Sequence, residues 1–369
     1  MIDMERLRAN LSVLPESYRH LSNREMDERI QQAKDTLGRD LVMMGHHYQR
    51  DEVFRFADFT GDSLELARIA ERQSRASYIV FCGVHFMAET ADILTKEEQI
   101  VILPDRRAGC SMADMATIDE LEEAWEVMQQ ELGDTILPVT YVNSSADIKA
   151  FVGRHGGVTC TSSNAAGVLK WAFSQKKRIL FLPDQHLGRN TSHAMGIPLQ
   201  QMAVWDPIYG QWEEVKGPME ELRVLLWKGF CSVHTKFTVD QIRQMREQDQ
   251  ETRVIVHPEC TFDVVQAADE KGSTSYIIHR IQQAAPGSKW AVGTEVNLVQ
   301  RLAQNHPEQQ IQLLSRTMCP CLTMNRIDLP HLLWALESLL EGHPVNQVSV
   351  DPETSYWAKQ ALDRMLSIT

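Results

Sequence analysis

The 369-residue chain has no run of about 18 apolar residues, the length a membrane-spanning helix needs, so no transmembrane segment is expected. Its opening, MIDMERLRANLSVLPESYRH, lacks an uninterrupted apolar stretch and does not read as a secretory signal. No GxGxxG follows any apolar run, which removes support for a dinucleotide-binding fold. No compact CxxC pair is present, which argues against a structural zinc ribbon. Basic residues are in deficit: 37 Lys and Arg stand against 50 Asp and Glu, a net charge of −13. A surface of that sign repels phosphate backbones, so neither a nucleic acid nor a membrane is expected as a partner. The seven cysteines (82, 110, 160, 231, 260, 319 and 321) are an odd number in a long chain, unlike a secreted disulfide framework. With a mean hydropathy of −0.30, a cytoplasmic location is expected, and the thiols are buried hydrophobes, catalytic groups or metal ligands.

A chain of this length exceeds one ordinary hydrophobic core, and 43% apolar with 24% charged residues is the balance of a folded protein. Residues 24–37 and 354–368 read as helices, the second with Trp357, Ala358, Ala361, Leu362, Met365 and Leu366 on one face. Between them lie short apolar runs at 41–45, 78–83, 100–104, 136–143, 178–183, 254–258, 290–295 and 311–315. Continuous β-branched runs predict strands buried on both faces, hence parallel sheets, and their alternation with helical patterns predicts an α/β fold.

A threefold internal repeat underlies this order. His46 to Ser63 spans 17 residues and Ser63 to Cys110 spans 47; His257 to Thr274 and Thr274 to Cys321 span the same 17 and 47. In the middle copy Tyr141 to Ser162 spans 21 and Ser162 to Cys231 spans 69, the excess falling on an insertion near 205–224. Helix–strand periodicity alone would give similar lengths, but not a hydroxyl and then a cysteine at matched places. The expected architecture is three similar three-layer α/β domains, 1–118, 119–235 and 236–369, in a pseudo-threefold arrangement around a central cluster and active site. The C-terminal helix is expected to pack on the first domain.

One cysteine per copy (Cys110, Cys231, Cys321) would then reach a common cavity beyond the carboxyl ends of the strands. Three thiolates suit a [4Fe–4S] cluster with one iron left open as a Lewis acid, with zinc as the competitor. Cys82 and Cys160 read as packing residues and Cys260 as either. Cys319 competes with Cys321 for the third place and could be its redox partner. Strand-end residues His46, Tyr48, Tyr141, Asn143, His257 and Glu259 are candidates for binding and proton transfer. Ser63, Ser162 and Thr274 lie at helix starts, where free N–H groups hold anions. Glu89 and Glu295 read as capping or supporting groups.

The motifs GHHYQ, GDSLELA, FCGVHFMAETADIL, PDRRAGCSMAD, VTYVNSSADIKA, TCTSSNA, FLPDQHLGRNTS, WKGFCSVH, VHPEC, GTEVNLV and CPCLTMN together resemble the quinolinate synthase family of NAD biosynthesis, from about residue 35 to 368. That resemblance implies a transferase that condenses iminoaspartate (iminosuccinate) with dihydroxyacetone phosphate to quinolinate, releasing phosphate and water. It implies a [4Fe–4S] cluster on Cys110, Cys231 and Cys321. It implies substrate contacts at His46, Ser63, Tyr141, Asn143, Ser162, His257, Glu259 and Thr274, and catalysis by Tyr48 with His257 and Glu259. A functional link to the enzyme that supplies iminoaspartate follows. The alternatives are another [4Fe–4S] hydro-lyase, or a non-catalytic iron–sulphur or zinc sensor.

Overall fold

A computed structural model describes residues 13–315 and 320–368. It is an α/β structure with three sheets, and the chain divides into two compact units, Met1–Cys110 with Cys321–Val350 and Ser111–Pro320 with Asp351–Thr369.

The first unit holds a five-stranded sheet ordered Gln347–Val348, Ile100–Ile102, Tyr78–Cys82, Leu41–His46, Phe59–Gly61. All its pairings are parallel except that of Gln347–Val348, which closes the edge antiparallel to Ile100–Ile102. Leu41–His46 and Tyr78–Cys82 are apolar at nearly every position because both of their faces are covered. The helix Ser63–Arg72 is started by a capping box in which Asp62 and Glu65 each accept from the other's backbone N–H. The helix Asn23–Leu37 buries Met26, Ile30 and Ala33 and packs on the helix Leu329–Leu340, where Glu337 accepts from Arg29 and Tyr18.

The second unit holds two sheets. One is ordered Val158–Cys160, Ile136–Tyr141, Arg178–Leu182, Val224–Trp227, Met202–Asp206, Gln211–Glu213; the other Glu270–Lys271, Arg253–Val256, Lys289–Gly293, Gln310–Leu313. Their cores are separate, one built around Trp205, Leu225 and Trp227 and the other around Phe237, Val254, Val256 and Val264.

With the strands of each sheet counted in chain order, and the antiparallel edge strand Gln347–Val348 and the inserted pair Met202–Asp206 and Gln211–Glu213 set aside, all three sheets run second–first–third–fourth in parallel. The insertion is larger than the segment near 205–224 that the sequence points to. It begins with the turn Leu199–Gln201 and the strand Met202–Asp206, which pairs in parallel with Val224–Trp227.

The C-terminal helix, Pro352–Ser367, corrects an expectation. It packs within the second unit, on the helix Ala146–Arg154 and the strand Val158–Cys160. Gly153 makes this approach available: a Cβ there would lie 1.9 Å from the Trp357 carbonyl oxygen. Arg364 donates to the Gly157 carbonyl (2.6 Å), and Arg154 pairs with Glu353. Ala358, Ala361, Leu362 and Met365 of the expected face are buried, whereas Trp357 and Leu366 are only half-buried.

Candidate active site

In parallel sheets the carboxyl ends of the strands share one edge, and the loops leaving that edge carry chemistry. The candidate residues follow this rule within each sheet. His46, Tyr141 and His257 end or follow the first strands, and Ser63, Ser162 and Thr274 follow the second. Cys110, Cys231 and Cys321 follow the fourth. Each of these cysteines also stands three residues before a 3₁₀ turn (Ala113–Met115, His234–Lys236, Met324–Arg326), so the loop form recurs as well as the sulphur.

Burial separates the cysteines into two sets. Cys110, Cys231 and Cys321 are half-buried, whereas Cys82, Cys160 and Cys260 are buried. Burial pushes the Cys82 thiol up to about 12 and the Cys160 thiol further. Burial, then the charge of Glu259, raises Cys260 well above its ordinary value. A thiol held protonated is a poor ligand and nucleophile, so these three are packing residues. Cys319 lies outside the described residues.

The first unit holds His46, Tyr48 and Ser63. His46 is buried, and its Nδ1 accepts the Tyr48 backbone N–H (3.1 Å). The Tyr48 ring meets the imidazole edge-on, centroids 4.8 Å apart. Asp62, not Ser63, caps the following helix, so the Ser63 hydroxyl is not the capping group. The same holds for Thr274, where Ser273 is the cap.

The second unit brings Tyr141, Ser162, His257 and Glu259 together. Tyr141 Oη donates to Glu259 Oε1 (2.6 Å), and His234 Nδ1 donates to Glu259 Oε2 (2.7 Å). On the other side of the ring His234 Nε2 is hydrogen-bonded with Thr294 Oγ1 (3.1 Å). The His257 ring stacks on that of His234, centroids 4.5 Å apart and 19° between planes. Its Nδ1 accepts the Glu259 backbone N–H (3.4 Å), which leaves Nε2–H to donate to Ser162 Oγ (3.3 Å). Glu259 is 3% exposed, His234 1% and His257 2%, so the chain of polar groups runs almost without water.

Electrostatics assign the charge to Glu259. Burial alone would raise its carboxyl, but the adjacent His257 and His234, with the bonds from His234 and Tyr141, outweigh burial and hold it below the usual glutamate value. Asp184 moves the other way: burial, then the charge of Glu259, raises it well above the ordinary aspartate value. The Glu259 charge and burial thus both oppose ionisation of Asp184.

Sequence reasoning passed over four supporting residues. His234 stands where the other two copies have Ala113 and Met324, so a search for matched positions misses it. Asp184 caps the helix Gln185–Ala194, accepting from His186 (2.7 Å) and Leu187 (2.9 Å). Asn190 Nδ2 donates to the carbonyls of Pro258 and Cys260 (both 2.9 Å), fixing the loop that carries Glu259. Thr294 closes the chain beyond His234. Glu295 caps the helix Val296–Asn305, as read from sequence.

Two observations bear on a bound group. Asn143 Oδ1 is buried and has no hydrogen-bond partner among the described residues. Ligand atoms of Cys231, His234 and Glu259 all lie within 4.8 Å of one another. His234 and Glu259 already satisfy each other, so this trio also reads as a thiol beside an acid–base chain. Thiols in three matching loops, half-exposed while the other described cysteines are sealed, have the donor chemistry of an iron–sulphur centre. Among the described residues, no helix is long and apolar enough to cross a membrane.

Residues 28–367 match the protein family described as quinolinate synthetase A protein. Curated relatives called quinolinate synthase include one from Anoxybacillus flavithermus, 61% identical over 96% of both chains. One from Bacillus subtilis is 59% identical over 97% of both, and one from Bacillus velezensis is 59% identical over 98% of both.

Proposed function

The chain belongs to the quinolinate synthetase A family of enzymes, and on that premise we propose that it condenses iminoaspartate with dihydroxyacetone phosphate to form quinolinate. Phosphate and two waters leave. The sum involves no net oxidation, so it needs acids, bases and a Lewis acid but no electron acceptor.

In this reading each of the three sheets is the centre of one like domain, and the loop after its fourth strand supplies one thiolate. Cys110, Cys231 and Cys321 hold a [4Fe–4S] cluster, which when bound supplies an iron with an open coordination position to polarise a substrate oxygen or nitrogen. What supports the set is the common place of the three sulphurs after the fourth strands and their shared partial exposure.

His46, Ser63, Tyr141, Asn143, Ser162 and Thr274 bind the two carboxylates and the phosphate. The unpartnered Asn143 Oδ1 supports a ligand donor there, such as an imine or hydroxyl. Tyr48, His257 and Glu259 carry the protons. Glu259, held anionic, is an acceptor at neutral pH and keeps the Tyr141 phenol and the His234 imidazole oriented. His257, with Nε2–H toward Ser162, serves as a donor to a leaving oxygen. The buried Tyr141–Glu259–His234 chain carries this assignment. The activity belongs to the cytoplasm, where thiolates stay reduced, and is linked to the enzyme that supplies iminoaspartate.

The test is Glu259→Gln in anaerobically reconstituted protein. A fall in turnover of about 100-fold or more with full iron content is expected; unchanged turnover would remove Glu259 from the mechanism.

The closeness of Cys231, His234 and Glu259 favours a second reading, a mononuclear zinc site. Metal analysis separates the two. Zinc without sulphide supports the second, and iron with equimolar sulphide supports the first.

A further inference from the structure

Two loops of the first unit carry cysteines assigned above to the cluster, and one ion pair joins them. Asp105 stands five residues before Cys110 and Arg326 five residues after Cys321. Asp105 is 4% exposed. Its Oδ1 accepts the Arg107 backbone N–H (2.9 Å) and Nε (3.0 Å); its Oδ2 accepts Arg107 Nη2 (3.2 Å) and Arg326 Nε (3.0 Å). His331 Nε2 stands 3.7 Å from Oδ2, and its Nδ1 bonds to Asp328 (2.6 Å), the cap of the helix Leu329–Leu340.

Each loop is also closed on itself. Ala108 N–H bonds to the Asp105 carbonyl and Asn325 N–H to that of Cys321, while Thr323 Oγ1 lies 3.5 Å from Cys321 Sγ. Each loop is therefore a hydrogen-bonded turn, and Asp105–Arg326 is a bond between the two. A buried carboxylate is costly without partners, and Arg107 alone could satisfy Asp105 within its own loop. The bond to Arg326 thus does something further: it sets the distance between the turns.

We propose that the Asp105–Arg326 pair is a positioning clamp that holds the Cys110 and Cys321 loops in register for a shared cluster. The inference rests on the reading of those two cysteines as ligands. Fixing both turns before the metal arrives removes ordering entropy from cluster binding. Groups that orient metal ligands typically change metal affinity about 10–100-fold when removed.

The experiment compares Arg326→Met, Arg326→Lys and Cys110→Ala with the parent protein after anaerobic reconstitution with iron and sulphide. The readouts are iron per chain, the half-life of cluster absorbance in excess EDTA, and thermal unfolding of the cluster-free chain. Arg326 is partly exposed, so its loss leaves Asp105 paired with Arg107 and the fold intact. The expected result is a roughly tenfold shorter half-life in Arg326→Met, substantial recovery in Arg326→Lys, and little change in unfolding temperature. A parental half-life in Arg326→Met, while Cys110→Ala loses its iron, would overturn the clamp and keep the ligand reading. Equal shortening in the Met and Lys variants with a matching drop in unfolding temperature would make Arg326 structural only and also overturn it. Full iron retention in Cys110→Ala would instead overturn the ligand assignment on which the clamp depends.

Discussion

The Tyr141 phenol donates to Glu259 Oε1 across 2.6 Å, tying the end of one sheet's first strand to the loop after another sheet's first strand. A bond to a charged acceptor contributes about 1.5–3 kcal/mol, so Tyr141→Phe is expected to be destabilised by that order in urea unfolding at pH 7. The sign with pH follows from Glu259. Its folded-state value is depressed below 4.5, so its stabilising charge is fully present above that value and is lost as pH falls beneath it. The gap between parent and variant should therefore narrow in acid. A gap independent of pH would detach Tyr141 from the Glu259 charge.

His234 bonds to Glu259 on one side and faces Thr294 on the other. His234→Gln keeps a donor and removes the imidazole. A drop in kcat of about tenfold or more is expected, with KM changed less and with an altered acid limb of the pH profile. An unaltered pH profile would leave His234 with no part in proton handling.

How much of this was legible in the sequence depends on length of run and on symmetry. Runs such as LVMM at 41–44 and ILFL at 179–182 declared themselves because four consecutive apolar residues, closed by Gly or Pro, suit a strand buried on both faces. The second strands, Phe59–Gly61, Val158–Cys160 and Glu270–Lys271, have two or three residues and carry no pattern; backbone pairing with the first strand makes them. The repeat revealed the three cysteines, Ser63 and Thr274, and by the same logic hid His234, which is unique to one copy. At the helix Ser63–Arg72 both Asp62 and Ser63 are residues that can cap, and the capping-box partner Glu65, three residues after Asp62, is what selects Asp62. The apolar face of the C-terminal helix was readable, but its partner was not, since only the glycine at 153 permits the contact.

Asp184 tests the shared charge. Its carboxyl is raised above 3.8, so the folded state binds the extra proton and stability declines as pH rises from that value toward the raised one. Asn caps helices as well as Asp does, so Asp184→Asn keeps the cap while removing the ionisable group. The variant should gain stability relative to the parent as pH increases from 4 to 7. A constant difference across that range would mean that Asp184 is ionised like an exposed aspartate.

Gly153→Ala should disturb one contact. The added methyl would stand 1.9 Å from the Trp357 carbonyl oxygen and 2.8 Å from its carbon, and backbone cannot swing aside as a side chain can. Overpacking of this kind costs about 1–3 kcal/mol or detaches the helix. Limited proteolysis should then release the segment after Asp351 faster than in the parent, and equal rates would show that the helix sits elsewhere in solution.

The decisive measurement is quinolinate itself. Reconstituted protein is supplied with dihydroxyacetone phosphate and with iminoaspartate generated from oxaloacetate and ammonia. Quinolinate and phosphate should appear in equal amounts, and neither should appear when Cys110, Cys231 and Cys321 are all replaced by alanine. Iron-replete protein that makes no quinolinate, or a triple variant that makes it at the parental rate, would contradict the assignment.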